Sequence, residues 1–301
     1  MRPSMQLTDV LFGYAAPRQP SLKNRIVGLI ALQRVAVVIM GLPLALGAAV
    51  LAGARSDDQR LGIGLFSMWL IVASMHTLHD VIDSERDKKT YPSRPVPSGL
   101  TSKPEATLYG VLMASTGLLT AGFVFNGLCA AIALAVIVLG CVNTAYVREK
   151  IGYLNVAWIA ALTPVGAWTA ISPQTTWTLM PWLLFGFVAI HQVAMMIADN
   201  AEETYDPTVK AFLTRPRPHG EMVLFITAVI TMLLLGMVIF FLSQLHWAYV
   251  VVLSAITVWA LNSAKYLAEP RSFEKGKKAF MIIANYSTIY WASLAIVAWI
   301  P

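Results

Sequence analysis

Three aspartates follow an apolar segment at spacings that put their carboxylates on one side of a helix. Asp80, Asp83 and Asp87 lie at positions i, i+3 and i+7, so a helix that continues through them carries all three on one face. Like charges held together repel one another, and a hard divalent cation that also holds a phosphate-bearing ligand would offset the repulsion. A solvated acidic helix end beside basic neighbours is the alternative that this motif alone leaves open.

The same spacing recurs after a second long apolar segment, where Asp199, Glu202 and Asp206 again lie at i, i+3 and i+7. The repetition favours a ligand-binding role. Mg²⁺ typically binds one or two carboxylates together with substrate phosphates, so two such motifs could bracket one diphosphate. The cationic side chains that could neutralise the remaining phosphate charge are Lys88, Lys89, Arg94, Lys150, Lys210 and Arg215.

The elements that must position these motifs are long apolar segments. Of the 301 residues, 57% are hydrophobic and 13% are charged, which is about half the charged fraction of soluble domains. Because backbone groups inside a membrane need internal hydrogen-bond partners, these segments predict an all-α membrane protein. Nine segments are long enough to span a bilayer: about 26–52, 61–79, 106–125, 128–146, 154–172, 179–198, 222–242, 247–264 and 280–300.

The basic residues are distributed unevenly between the two sides of the predicted membrane. With the N-terminus in the cytoplasm, every lysine and arginine except Arg34, Arg55 and Arg60 falls on the cytoplasmic side, as the positive-inside rule requires. The net charge of +6 then reflects membrane topology, and we do not expect nucleic acid among the partners. The sequence therefore predicts a multi-pass membrane protein with both acidic motifs near the cytoplasmic face.

A few polar residues lie within the apolar segments, where they are costly unless they face other helices. Gln33 and Arg34 interrupt the first segment, and we expect them to face the interior of the bundle. His191 precedes Asp199 by about two helical turns, so it shares a face with the second acidic motif. Either a cavity-facing histidine or one hydrogen-bonded between helices fits this position, and Asn143 is expected to join helices.

Four motifs in this order resemble the UbiA superfamily of intramembrane prenyltransferases. They are HDxxDxxxD at 79–87, RPVPSG at 94–99, YVREK at 146–150 and DxxExxxD at 199–206. The resemblance covers nearly the whole chain and implies a single domain over residues 1–301. It implies a bundle of nine transmembrane helices around a central cavity with a cytoplasmic cap. The four-helix offset between the acidic motifs suggests that helices 1–4 and 5–8 form two similar halves.

The resemblance also implies a role for individual residues. The metal-binding side chains would be Asp80, Asp83, Asp87, Asp199, Glu202 and Asp206, with Asp83, Asp87 and Asp199 counted as catalytic. Tyr146 would be the fourth catalytic residue, close to the forming carbocation, which an aromatic face can stabilise. The side chains that would bind the substrate diphosphate are His79, Arg34, Lys88, Arg94, Lys150 and Lys210.

The implied reaction is a Mg²⁺-dependent transfer of a prenyl group from a prenyl diphosphate to a small hydrophobic or aromatic acceptor, among membrane lipids. His79 stands where the first motif usually has asparagine. In the second motif Ala198, Glu202 and Tyr205 replace the usual lysine, aspartate and glycine. These departures leave open a related enzyme that ionises and cyclises a prenyl diphosphate without an acceptor. A cation transporter is disfavoured, because both acidic motifs lie at segment ends and transport sites usually lie near the middle of the membrane.

Overall fold

The computed structural model describes residues 10–11, 13, 22–147, 154, 157–203, 218–268, 270 and 272–300. Within these ranges every regular element is a helix, and eight candidate spans are long and apolar enough to cross a membrane. The predicted all-α membrane fold is confirmed. The α-helices are α1 (Leu22–Leu32), α2 (Val35–Leu51), α3 (Arg60–Ile82), α4 (Ser84–Thr90), α5 (Lys103–Thr120), α6 (Gly127–Val142), α7 (Ala157–Ala160), α8 (Leu162–Ile171), α9 (Leu179–Glu203), α10 (Pro218–Ser243), α11 (Ala248–Ser263) and α12 (Phe273–Ala298).

One of the nine predicted spans differs from the sequence-based expectation. In place of a long helix over 154–172, the described residues form the short helices α7 and α8, which meet at Ala161. Pro164 lies in the first turn of α8 and has no N–H to donate to the carbonyl of Ala160. The described apolar stretch, Ala157–Ile171, is shorter than the eight candidate spans.

The first predicted span also contains a break, between α1 and α2. Gln33 and Arg34 form a turn in which their amides donate to the carbonyls of Ile30 and Ala31, at 3.1 and 3.0 Å. Arg34 has a φ of 50°, a left-handed conformation that is uncommon for residues other than glycine. The two polar residues therefore sit in a strained link where hydropathy predicts a continuous helix.

The chain divides into two compact units, of which the first comprises Met1–Leu42 and Ile63–Tyr146. In this unit α3 packs closely on α5 and α6 through glycines. A Cβ on Gly117 would lie 2.8 Å from the Ile71 side chain, and one on Gly140 would lie 2.8 Å from Met75 Sδ. The small residues allow these close helix–helix approaches, which fix the position of the C-terminal part of α3.

The second unit comprises Pro43–Gly62 and Val147–Pro301, and its core lies where α9 packs against α12. Phe187 of α9 stacks on Tyr290 of α12 with ring centroids 4.1 Å apart. The buried hydroxyls of Tyr290 and Tyr249 lie 2.8 Å apart, and Tyr249 donates to the carbonyl of Gly236 at 3.1 Å. Because that bond uses the single proton of Tyr249, Tyr290 is the donor within the pair.

Candidate active site

The acidic motif that ends α3 keeps the helical path through a short irregularity. Helix α3 ends at Ile82 and α4 begins at Ser84. Asp83, between them, has helical dihedral angles (φ −78°, ψ −3°). The Asp83 amide donates to the carbonyl of His79, and the Asp87 amide to that of Asp83, both at 2.8 Å. Backbone bonds to the residue four positions earlier therefore continue, which meets the condition under which the spacing puts the three aspartates on one face.

Two arginines from outside this helix reach the aspartates. Arg34 Nη2 lies 2.6 Å from Asp80 Oδ1. Arg94 Nη1 lies 2.6 Å from Asp87 Oδ2 and 3.7 Å from Asp80 Oδ1. A single guanidinium thus contacts two carboxylates that are seven residues apart in the sequence. Asp80 and Asp87 therefore lie on the same face of the helix.

The pairing is almost entirely withdrawn from solvent. Asp80 and Asp87 are each 1% exposed, Asp83 is 7% exposed and Arg94 is 8% exposed. Asp80 Oδ2 is buried and has no hydrogen-bond partner within the part of the chain that the structure describes. Buried carboxylate oxygens are normally satisfied, so this oxygen has unused capacity to accept a hydrogen bond or to bind a metal ion.

Arg94 is positioned by the proline-rich turn that follows α4. The Arg94 amide donates to Tyr91 O, and the Ser98 amide donates to Arg94 O, both at 3.0 Å. The turn closes at Gly99, whose φ of 76° suits glycine. The guanidinium carbon lies 4.0 Å from the centroid of the Tyr91 ring, a cation–π contact. The turn therefore holds Arg94 over the acidic face.

Arg86 is a site residue that the sequence reasoning missed. Its Nη1 lies 3.9 Å from Asp83 Oδ1. The spacing from Asp83 to Arg86 is i to i+3, at which helical side chains of opposite charge interact, so the signal was present in the sequence. With Arg86 included, each aspartate of the motif has an arginine within 4 Å.

Lys88, predicted to bind diphosphate, lies in an exposed ion-pair cluster with Glu85 and Lys103. Lys88 Nζ and Lys103 Nζ each donate to Glu85 at 2.8 Å. The ammonium group of Lys103, followed by that of Lys88, holds the pKa of the Glu85 carboxyl at about 2, well below its usual value. A role for Lys88 in binding phosphate would require it to leave Glu85.

Two further predicted residues lie on neighbouring elements of the first unit. A Cβ on Gly140 of α6 would lie 3.1 Å from His79 Nε2, so the imidazole packs directly against that helix. Tyr146 lies on the π-helical turn Asn143–Val147 and is 73% exposed. Tyr146 thus lies outside the set of buried ion pairs, whereas Asn143 on the same turn is buried.

The second acidic motif begins on the last turns of α9, in the second unit. Asp199 is half-buried, and its neighbour Asn200 donates to Glu221 of α10 at 3.2 Å. The backbone of Glu202 is helical. Asp206, Lys150 and Lys210 lie outside the described residues. His191 Nε2 lies 2.9 Å from the carbonyl oxygen of Ile283, so this histidine joins α9 to α12.

The side chains of the first motif suit a hard divalent cation. They offer only carboxylate oxygens, the ligands that Mg²⁺ prefers, and one of them, Asp80 Oδ2, is buried without a partner in the described chain. Among the described residues, no three His, Cys, Asp or Glu side chains converge closely enough to hold a metal ion. The arginine contacts at Asp80 and Asp87 take up oxygens that a metal would otherwise use.

The sequence matches the UbiA prenyltransferase family over residues 40–289. The protoheme IX farnesyltransferase of Cutibacterium acnes is 25% identical over 264 residues, which cover 83% of this chain and 72% of that enzyme. The fold is similar to a UbiA homologue from Archaeoglobus fulgidus bound to GPP and Mg²⁺, with a TM-score of 0.65 and 18% identity over 91% of this chain and 100% of the other. The fold is also similar to the structure of a digeranylgeranylglyceryl phosphate synthase, with a TM-score of 0.70 and 15% sequence identity over 91% of this chain and 99% of the other. The chain therefore belongs to the UbiA prenyltransferase family and is a multi-pass membrane prenyltransferase.

Proposed function

We propose that this enzyme transfers a prenyl group from a prenyl diphosphate to a small hydrophobic or aromatic acceptor, with Mg²⁺ as cofactor. The observation that carries the proposal is the buried oxygen Asp80 Oδ2, which lacks a partner in the described chain beside two arginines. Carboxylates suit Mg²⁺ and guanidinium groups suit phosphate. A buried site that offers both is suited to a magnesium diphosphate.

Each group has a distinct task in the proposed reaction. Asp80, Asp83 and Asp87 would hold the cation, which would supply positive charge to offset the charge of the departing diphosphate. Arg34 and Arg94 bind phosphate oxygens and favour departure of the leaving group. The apolar helices exclude water from the resulting allylic cation. In this scheme the ring of Tyr146 faces the allylic carbocation.

The second motif completes the scheme as a further set of ligands. Asp199, Glu202 and Asp206 would bind a second cation, while His79, Lys88, Lys150 and Lys210 would contact the diphosphate. The positive-inside distribution of lysine and arginine supports an active site near the cytoplasmic face. A single domain over residues 1–301 and two similar halves remain part of this proposal.

The relatives support the donor and leave the acceptor to experiment. The Archaeoglobus fulgidus homologue binds GPP and Mg²⁺, which supports a prenyl diphosphate with a divalent cation here. The name of the Cutibacterium acnes relative gives a farnesyl group and protoheme IX as its reactants. A porphyrin therefore belongs among the acceptors to be tested, together with phenols and quinones.

The test is an incubation of the purified protein in nanodiscs with geranyl, farnesyl or geranylgeranyl diphosphate, with Mg²⁺ or with EDTA. Without an acceptor we expect intact diphosphate or slow hydrolysis to the linear alcohol. With one member of the acceptor panel we expect a Mg²⁺-dependent prenylated product. A discrete cyclic terpene formed without an acceptor would overturn the transfer reaction in favour of cyclisation.

A matched pair of variants links that activity to the site. Asp80→Asn should abolish turnover, because it removes a buried metal-binding charge. Asp57→Asn makes the same chemical change at an exposed aspartate whose partner is Arg55, at 3.1 Å, and should leave turnover unchanged. Equal turnover in the two variants would contradict the assignment of Asp80.

A further inference from the structure

The acidic face is already neutralised by arginines. Among the described residues, Arg34, Arg86 and Arg94 each approach one of the aspartates Asp80, Asp83 and Asp87 within 4 Å, so each carboxylate of the motif has an arginine beside it. Two of these contacts, Arg34 to Asp80 and Arg94 to Asp87, are short pairs of 2.6 Å at carboxylates that are 1% exposed. Buried charges at such distances interact strongly because water does not screen them.

This balance makes a divalent cation unfavourable on its own. A divalent cation added without any displacement would bring two positive charges to buried carboxylates that arginines already contact, at a high desolvation cost. It would also meet the Arg94 guanidinium, which lies within 4 Å of both Asp80 and Asp87. A diphosphate carries the negative charge that restores the balance, so the cation and the diphosphate should bind together.

We propose that Arg94 and Arg34 are resident counter-cations that exchange partners on binding, releasing Asp87 and Asp80 to the metal and turning to the phosphate oxygens. The site consequently admits metal with diphosphate and resists metal alone. The inference rests on the proposed function, since it takes the diphosphate and the divalent cation as the ligands. It adds that these arginines oppose the metal until the diphosphate arrives.

The surroundings of the two guanidiniums favour such an exchange. Arg94 shares one nitrogen, Nη1, between Asp87 and Asp80, and its guanidinium carbon lies over the Tyr91 ring, 4.0 Å from the centroid. Arg34 is the less buried of the two, with 24% of its side chain exposed. Movement of these two side chains, with the helices fixed, would free the carboxylate oxygens.

The test is a calorimetric titration of the full-length protein in detergent with Mg²⁺ alone, and with inorganic pyrophosphate at fixed Mg²⁺. Removing a competing positive charge should strengthen binding of the metal alone. We therefore expect Arg94→Gln to bind Mg²⁺ alone about tenfold more tightly than the wild type, a factor within the usual range of coupling between ligands. The same variant should bind pyrophosphate about tenfold more weakly.

Two further variants guard against trivial explanations. Arg25→Gln removes one positive charge from an exposed pair with Glu105, at 3.3 Å, and should leave both titrations unchanged. Arg34→Gln removes the more exposed counter-cation and should shift both affinities in the same directions as Arg94→Gln. It keeps the inference testable if Arg94→Gln fails to fold, which gel filtration would reveal.

The possible outcomes separate the inference from the proposed function. If Mg²⁺ alone binds to Arg94→Gln and Arg34→Gln no more tightly than to the wild type, while turnover requires Mg²⁺, the exchange is wrong and the proposed function stands. If no protein binds Mg²⁺ with or without pyrophosphate and turnover ignores EDTA, the proposed function itself is overturned.

Discussion

The buried pair between Asp87 and Arg94 allows a quantitative prediction about stability. Asp87→Asn keeps the shape of the side chain but removes its charge, so Arg94 loses its 2.6 Å partner. Arg94 is only 8% exposed and cannot turn to water without rearrangement. Among the described residues, Arg94 would keep Asp80 at 3.7 Å and the Tyr91 ring at 4.0 Å.

The magnitude follows from these remaining contacts. Removing one partner of a buried ion pair typically destabilises a protein by about 3–5 kcal/mol. Because Arg94 retains Asp80 and Tyr91, we expect Asp87→Asn to lower the free energy of unfolding by about 3 kcal/mol, at the lower end of that range. Arg94→Gln should have a similar effect. The double variant should lose about 2 kcal/mol less unfolding free energy than the two single variants lose in sum, because it leaves neither charge without its partner.

The assay is reversible unfolding in mixed micelles, followed by the fluorescence of the nine tryptophans. The exposed pair between Arg25 and Glu105, at 3.3 Å, provides a matched cycle in which we expect an interaction of about 0–1 kcal/mol. If the changes at Asp87 and Arg94 add to within about 0.5 kcal/mol, the two side chains are not coupled. Arg94 would then not act as a resident counter-cation of Asp87.

Three other expectations follow from single contacts. Tyr249→Phe should lower the free energy of unfolding by about 1–3 kcal/mol, because it leaves the buried hydroxyl of Tyr290 without an acceptor. Tyr290→Phe should lower it by only about 0.5–1 kcal/mol. Equal values from unfolding curves would contradict the assignment of Tyr290 as the donor. Because the pKa of Glu85 is lowered from 4.5 to about 2, its stabilising effect is present above pH 4.5 and is lost as the pH falls towards 2. The difference in Tm between the wild type and Glu85→Gln should therefore vanish over that window. A difference that stays constant with pH would refute this. Asp83→Ala and Asp199→Ala should each abolish turnover without altering the gel-filtration profile, and near-wild-type turnover in both would refute the metal-binding assignment.

The helices were predictable because hydropathy depends on local composition. Eight of the nine predicted spans correspond to candidate spans in the described chain. The exception, over 154–172, is broken where Pro164 lacks a backbone donor. The link at Gln33 and Arg34 was not predicted as a break, because hydropathy averaged over a window does not register two polar residues in a long apolar segment.

The aspartates were predictable from spacing, but their partners were not. The face shared by Asp80 and Asp87 follows from the helical repeat. Arg34 and Arg94 reach it from positions 46 and 7 residues away from the aspartates that they contact, and such pairings depend on tertiary packing. Lys88 stays a predicted phosphate ligand, and its ion pair with Glu85 is a contact that the sequence analysis did not include.

The link between α1 and α2 fixes how far the chain can change in length at that point. Gln33 hydrogen-bonds Trp69 and Tyr109, while the next residue, Arg34, contacts Asp80. Trp69 and Asp80 are separated along α3 by about 16 Å of helix. Adjacent side chains therefore reach in opposite directions along one helix, so a single inserted residue would misplace at least one of them. Unlike the loops between helices, this link should tolerate neither insertion nor deletion, although it lies far from both motifs in the sequence.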